Sequence, residues 1–156
     1  MDLSVCSISP IDGRYSNKTG SLTKYFSEYA YIHYRLKVEI EYLDCLLDKR
    51  DKNSNFIKTV LKNILKNFSL EESQIIKDIE KKINHDVKSI EYYIRKKLNE
   101  HGLSKKLNHY IHYGLTSQDI NSTALSVMLK EFTLDHMIPI INNIINLLKD
   151  KRYEYQ

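Results

Sequence analysis

Apolar and polar residues alternate along most of this chain with the period of an α-helix. Apolar side chains recur every three or four positions, which places them on one face of a helix. Six such stripes follow one another: Ile32, Leu36, Ile40, Leu43 and Leu47; Phe56, Val60, Ile64 and Phe68; Ile75, Ile76, Ile79 and Ile83; Val87, Ile90, Ile94 and Leu98; Ile120, Ala124, Val127, Met128 and Phe132; Ile138, Ile141, Ile145 and Leu148. No stretch has the period-two alternation of a strand. The pattern predicts an all-α fold of six or seven helices.

Several polar or special residues predict where these helices begin and end. Residues 69–72 have the S-x-x-E spacing of a capping box, which predicts a helix start after Ser69. Asp86 is expected to cap the next helix, and Gly102 is expected to stop it. Residues 106–113 are expected to form a short helix, and Pro139 is expected in the first turn of the last helix.

Composition supports this interpretation. The chain has 156 residues, about the length of one ordinary domain, and 42% of them are hydrophobic, which is enough to bury a core. It contains only 4 Gly and 2 Pro. So few turn-forming residues count against a many-stranded sandwich and against a Gly-rich dinucleotide fold.

Charge and cysteine usage narrow the functional classes. The net charge is +4, and both signs are interleaved, which is typical of solvated helix faces rather than of a nucleic-acid-binding tail. Cys6 and Cys45 form no C-x-x-C pair and have no histidine at metal spacing, so we expect no metal site and a reducing cytoplasmic environment. The first ten residues lack a signal-peptide pattern, and no apolar run approaches the ~18 residues of a membrane span. We expect neither nucleic acid nor a membrane as partner.

Three polar islands interrupt the helical pattern and carry the candidate chemistry. Arg14 offers a planar fork of donors for a phosphate or carboxylate, and His85 offers a proton carrier or a hydrogen-bond donor. Thr116 and Ser117 stand where a helix is expected to begin, and free N–H groups and the helix dipole favour an anion there. Each island also has a purely structural interpretation, as an exposed turn or a helix cap. The islands are residues 12–15, 84–86 and 114–119.

Taken together, the islands carry a family resemblance. Residues 9–15 read SPIDGRY, residues 84–88 read NHDVK, and residues 112–119 read HYGLTSQD. In this order and at this spacing, the segments resemble the N-terminal part of the adenylosuccinate lyase family, within the fumarase/aspartase superfamily. The first two segments resemble its bacterial-type branch in particular, and the similarity covers essentially the whole chain.

The resemblance implies a C–N lyase that eliminates fumarate from adenylosuccinate to give AMP, and from the succinylated carboxamide ribotide of purine biosynthesis. Members of this family need no cofactor and act as homotetramers. Carried over by motif, Arg14 and Tyr15 would contact the nucleotide end, and Thr116 with Ser117 would hold the succinyl carboxylate. The central motif would line the substrate site with Asn84, His85 and Asp86. His85 would also assist proton transfer.

The resemblance also has a clear gap. The family's general acid is a histidine in an R-T-H-G-Q-like segment, and its base is a serine in an S-S-x-M-P-like loop, and neither occurs here. We therefore expect an N-terminal portion that is inactive alone, with an N-terminal helical domain over residues 1–112 and the beginning of a long central helical bundle over residues 113–156. The alternative is a non-catalytic helical interaction module.

Overall fold

A computed structural model describes residues 7–48 and 54–155 of the chain. Helices dominate these residues, and no strand occurs among them, which confirms the all-α prediction. The helices are α1 (Ser16–Thr19), α2 (Thr23–Phe26), α3 (Glu28–Asp48), α4 (Ser54–Lys66), α5 (Leu70–Ile83), α6 (Asp86–Glu100), α7 (Ser104–Leu107), α8 (Ser117–Phe132) and α9 (Ile138–Glu154). Cys6 lies outside the described residues.

The chain divides into two compact units. The first contains the described residues through Ser27 together with those from Val127 onward, and the second extends from Glu28 to Ser126. The domain boundary expected from the resemblance, between residues 112 and 113, stays a prediction.

The second unit has a continuous hydrophobic core in which the predicted stripes of α3, α4 and α6 meet. Phe56 is an exception, since 59% of its surface is exposed whereas Ile57 is buried. Helix α4 packs through Ile57, Val60, Leu61 and Ile64, which lie at spacings of three, one and three, and Phe56 lies beside this face. The stripe predicted Phe56 on the apolar face of α4, but its neighbour Ile57 occupies the inward position instead.

The starts of α5 and α6 differ in how well they were predicted. The Ser69 side chain accepts a hydrogen bond from the Glu72 N–H at 3.4 Å, which confirms the predicted cap of α5. Helix α6, however, is capped by His85, whose Nδ1 accepts a hydrogen bond from the Lys88 N–H at 3.1 Å. Asp86 is the first helical residue instead. The expected Asp86 cap is wrong because the extended backbone needed for capping falls on His85.

Helix α6 ends at Glu100, and Gly102 stops it just beyond the cap residue, as predicted. Gly102 has a φ of +71°, a conformation that costs glycine little. The Leu103 N–H donates to the Leu98 carbonyl and the Gly102 N–H donates to the Asn99 carbonyl, each at 2.9 Å. This pair of bonds is a Schellman motif and satisfies carbonyls at the helix end.

The segment that follows α6 is less helical than expected. Over residues 106–113 we expected a helix, but α7 ends at Leu107 and turns continue to Gly114, which has a φ of +73°. Farther along, a π-helical turn (Thr133–Met137) joins α8 to α9, and Pro139 lies in the first turn of α9, as predicted.

The first unit packs around aromatic rings. The rings of Phe26 and Phe132 lie 4.9 Å apart between centroids, and Tyr25 lies 5.6 Å from Phe132. The residues preceding α3 thereby contact the C-terminal end of α8. Helix α9 in the same unit exposes most of its large apolar side chains. None of the helices among the described residues has the length and apolar character that a membrane crossing requires.

Candidate functional site

A sharp turn between α5 and α6 presents the second polar island. Asn84 ends α5 in the left-handed conformation, with a φ of 55°, and its N–H donates to the Glu80 carbonyl at 2.7 Å. His85 is extended and Asp86 begins α6, so the chain reverses direction within two residues. Asparagine tolerates the left-handed region better than most residues, which explains its place here.

The imidazole of His85 is about half exposed and has defined donor and acceptor sides. Nδ1 accepts the Lys88 N–H, so in the neutral ring the proton resides on Nε2. Nδ1 also lies 3.7 Å from the Asp86 carboxylate. The turn therefore presents one N–H donor on an accessible ring, which suits a hydrogen bond to a ligand or a proton transfer.

Asp86 is held as an anion. Its Oδ2 lies 2.6 Å from Nη2 of Arg35, and its Oδ1 accepts the Val87 N–H at 2.8 Å. Partial burial opposes ionisation, but the Val87 N–H and the Arg35 guanidinium outweigh it and keep the pKa of Asp86 below its ordinary value. At neutral pH this side chain is an acceptor and not a proton donor.

Arg35 on α3 connects this turn to α8. Only 6% of Arg35 is exposed, and its Nε donates to Oδ1 of Asn121 on α8 at 2.8 Å. The guanidinium also lies 3.8 Å from the ring centroid of Tyr31. Since a buried charge is costly unless it is paired, these contacts stabilise one arrangement of α3, α6 and α8. Arg35 ties the Asp86 turn to the helix that begins at Ser117.

Sequence reasoning missed Arg35 and Asn121. Interleaved charges of this kind are typical of solvated helix faces. The available signal was the position of Arg35 directly beside Leu36 in the apolar stripe of α3. A long charged side chain at such a position needs an acceptor from another element, and the sequence does not say which one.

The third island forms the start of α8. The N–H and the hydroxyl of Thr116 donate to Oδ2 of Asp119 at 2.7 and 2.8 Å, and these two bonds lower the pKa of Asp119. Ser117 is the first residue of the helix and is partly buried. Because Asp119 already accepts from both Thr116 donors, a carboxylate or phosphate at this end would meet the Ser117 hydroxyl and the other N–H groups of the first turn, which have no intrahelical acceptor.

The first island belongs to the other unit. The guanidinium of Arg14 lies 4.7 Å from the Tyr15 ring centroid, and Nη2 donates to the Tyr15 hydroxyl. The Gly13 N–H donates to the Ser9 carbonyl at 3.0 Å, which closes the turn that precedes Arg14. Both side chains of this pair are exposed, and together they present a cation and an aromatic face.

The structure thus brings some of the predicted residues together. Within the second unit, Arg35 connects the segment containing Asn84, His85 and Asp86 to the helix that starts at Ser117. Arg14 and Tyr15 form a pair of their own in the first unit. Across residues 7–48 and 54–155, no group of three or more His, Cys, Asp or Glu side chains is arranged to hold a metal ion.

The described residues thus form an all-α protein with polar turns at the starts of α6 and α8. A family model described as "Lyase" matches residues 13–156, so the chain belongs to this lyase family. This finding confirms the resemblance carried by the three motifs.

Curated relatives refine the comparison. The chain is 40% identical to "Adenylosuccinate lyase" of Buchnera aphidicola subsp. Schizaphis graminum, across 98% of this chain and 35% of the relative. The protein of the same name from Dictyostelium discoideum is 42% identical across 88% of this chain and 31% of the relative. The protein of the same name from Escherichia coli K12 is 33% identical across 98% of this chain and 35% of the relative. The chain spans about a third of the length of the curated relatives it matches.

Proposed function

We propose that this chain is the N-terminal portion of an adenylosuccinate lyase, which eliminates fumarate from adenylosuccinate to give AMP and from the succinylated carboxamide ribotide of purine biosynthesis. The observation that carries the proposal is the similarity, at 33–42% identity, to relatives that bear this name and match 88–98% of the chain. No cofactor is needed in the proposed reaction.

The chemistry requires donors for negative charge. A base removes a proton beside a carboxylate, the resulting aci-carboxylate accumulates charge, and an acid protonates the departing nitrogen. We assign Thr116 and Ser117 to the succinyl carboxylate. Their place at the start of α8, where N–H groups and the helix dipole favour anions, supports this assignment.

The turn before α6 would line the substrate. The Nε2–H of His85 offers a donor that assists proton transfer, and the ionised Asp86 offers an acceptor whose position Arg35 fixes. Asn84 contributes an amide beside them. At the nucleotide end, Arg14 would pair with phosphate and Tyr15 would supply a flat face, in keeping with the exposed pair that they form.

We propose that the 156-residue chain has no appreciable lyase activity by itself, because it contains neither the family's acid histidine segment nor its serine loop. The purified chain should give no AMP from adenylosuccinate in a spectrophotometric assay. Reading the coding sequence on both sides of the chain should reveal both motifs in frame. Detectable AMP formation by the chain, or an open frame without the motifs, contradicts this part of the proposal.

The site assignment is tested in the protein expressed from the complete reading frame. Ser117→Ala removes a proposed carboxylate donor and should lower kcat/KM for adenylosuccinate by about a hundredfold. The matched variant Ser126→Ala, on the same helix, removes a hydroxyl that donates to the Ser122 carbonyl and should change kcat/KM less than about twofold. Equal effects of the two variants would argue against the assignment of Ser117.

The proposed assembly is a homotetramer in the cytoplasm, in which residues 113–156 begin a central helical bundle and residues 1–112 form the N-terminal domain. The exposed apolar side chains of α9, such as Ile141, Ile144 and Leu148, support it, since contiguous apolar surface of this kind marks an interface. Sedimentation over a concentration series should show self-association that Ile141→Asp abolishes and Asn142→Asp on the same helix preserves.

The same α9 surface also favours the second candidate, a non-catalytic helical interaction module. The two functions predict different kinetics. A module predicts that the complete protein forms no fumarate from adenylosuccinate, while Ile141→Asp still prevents association. The lyase predicts fumarate formation that depends on Ser117.

A further inference from the structure

One face of α3 carries a row of polar residues that the hydrophobic core does not explain. Arg35, Glu39 and Tyr42 are spaced by four and three positions, so they lie on the same side of the helix. Glu39 is 1% exposed although it carries an ionisable carboxyl. Glutamate is almost never buried to this extent without a partner, so its contacts are informative.

Glu39 contacts the segment that leads into the start of α8. Its Oε1 lies 2.6 Å from Nδ1 of His112. Among the described residues its second oxygen, Oε2, is buried without a hydrogen-bond partner. Burial raises the pKa of Glu39, His112 counteracts this rise, and the carboxylate of Glu91 adds to it.

His112 has an unusual backbone. Its φ is +59°, in the left-handed region that few residues other than glycine adopt, although histidine enters it more often than most. Such a conformation costs about 1 kcal/mol or more and persists where surrounding contacts hold it. The Glu39 carboxyl contacts the His112 side chain directly.

A second residue of α3 holds the next position of the chain. The Tyr42 hydroxyl donates to the Tyr113 carbonyl at 2.8 Å. From there the backbone passes through Gly114, at a φ of +73°, to Thr116 and the first turn of α8. Helix α3 therefore contacts two consecutive residues just before the turn assigned to the substrate carboxylate.

We propose that Glu39 is a positioning residue for the Thr116–Ser117 turn: by holding His112 in its left-handed conformation, with Tyr42 holding the Tyr113 carbonyl, it sets where the two hydroxyls lie. That the turn binds a substrate carboxylate rests on the proposed function. The conformational role of Glu39 does not, because the contacts belong to the chain itself.

Amide hydrogen exchange of the isotopically labelled chain, read by NMR, tests this role without any substrate. Glu39→Ala removes the acceptor for His112 and should speed exchange at the Leu115 and Thr116 amides about tenfold, with the core amides of Ile90 and Ile94 unchanged. Glu39→Gln keeps an acceptor in the same place and should restore exchange to within about threefold of wild type. Glu41→Gln, an exposed position of the same helix, is the matched control.

Two results would overturn the proposal. One is unchanged exchange at Leu115 and Thr116 in Glu39→Ala, and the other is an equal rise at every amide, which would mark a general packing role. If Glu39→Ala does not fold, Tyr42→Phe supplies the same test, with an expected rise of about threefold at Leu115 and no rise in the exposed control Tyr92→Phe. An equal response in these two variants also refutes the proposal. Because the exchange measurements use no substrate, their results do not depend on lyase activity. The proposed function can therefore be wrong while the role of Glu39 is confirmed, or the reverse.

Discussion

Helices α6 and α9 carry nearly the same sequence pattern and have opposite environments. Each carries a stripe of four large aliphatic residues at spacings of three and four, and in α9 further aliphatic residues stand beside the stripe. In α6 these residues are 0% exposed, and they are Val87, Ile90, Ile94 and Leu98. In α9 they are 40–66% exposed, and they are Ile138, Ile141, Ile145 and Leu148.

The difference lies in what covers each stripe. Helix α6 packs against α3, α5 and α7, and its polar start is tied down by Arg35. The described residues leave much of the α9 stripe open to solvent. An apolar stripe in the sequence predicts a helix with one apolar face. Whether that face stabilises the chain depends on the helices that pack against it.

The largest effect should come from a core truncation on α6. Ile94→Ala leaves a cavity beside fully buried neighbours and should lower the free energy of unfolding by about 3 kcal/mol. The matched Ile141→Ala on α9 should change it by less than about 0.5 kcal/mol, because its side chain is already in water. Urea unfolding at low protein concentration measures both. An equal loss in the two variants would show that the α9 stripe is covered after all.

The next effect concerns the polar anchor of α6. Arg35→Met leaves Asp86 and Asn121 without their shared partner and should destabilise the chain by about 2 kcal/mol. Arg152→Met, at the exposed end of α9, should change the free energy of unfolding by less than about 0.5 kcal/mol. If Arg35→Met has only a small effect, the desolvation penalty of the buried guanidinium would be about as large as the stabilisation from its hydrogen bonds.

The same anchor predicts a pH dependence on the acid side. The pKa of Asp86 is lower in the folded chain than its ordinary value of 3.8, so its stabilisation is fully present above 3.8 and is lost as the pH falls through the folded-state pKa. Asp86→Asn should cost about 1.5 kcal/mol at pH 7, a modest figure because the side chain is partly exposed. The difference from wild type should shrink below pH 3.8 in urea titrations. A difference that stays constant with pH would contradict the ion pair with Arg35.

The smallest effect concerns how α6 ends. Gly102→Ala adds no close contact but must adopt a φ of +71°, which should cost about 1 kcal/mol. Gly20→Ala is the matched control, since its backbone is right-handed helical and its surroundings are open; it should be neutral or slightly stabilising. Thermal unfolding midpoints distinguish the two variants. Equal midpoints for Gly102→Ala and Gly20→Ala would show that Gly102 does not determine where α6 ends.

Local signals predicted local structure well. The cap at Ser69, the stop at Gly102 and the place of Pro139 follow from backbone rules that involve only a few neighbouring residues, and all three are confirmed. The errors arose where two neighbouring residues compete for one role. Ile57 took the inward position expected for Phe56, and His85 took the capping position expected for Asp86.

The candidate site was predictable in its parts and not in its connections. Three motifs identified the family, and two of them lie at helix starts, of which the start of α8 suits an anion. Arg35, Glu39 and Tyr42, which tie these motifs to α3, had no comparable signal. Each is a polar residue on a long helix whose partners lie far away in the sequence. The partners of Arg35 lie 51 and 86 residues away, and those of Tyr42 and Glu39 lie 71 and 73 residues away.

The all-α class, most helix boundaries, the family and the residues of the three polar islands follow from the amino-acid sequence alone. Periodicity, capping and glycine conformation are local properties, and motif order is a property of the chain, so none of them needs a folded structure. Which stripes are buried and which charges are paired depends on how the helices pack. Burial and ion pairing depend on contacts between segments far apart in the chain, such as Arg35 with Asp86 and Glu39 with His112, and these contacts form only in the folded protein.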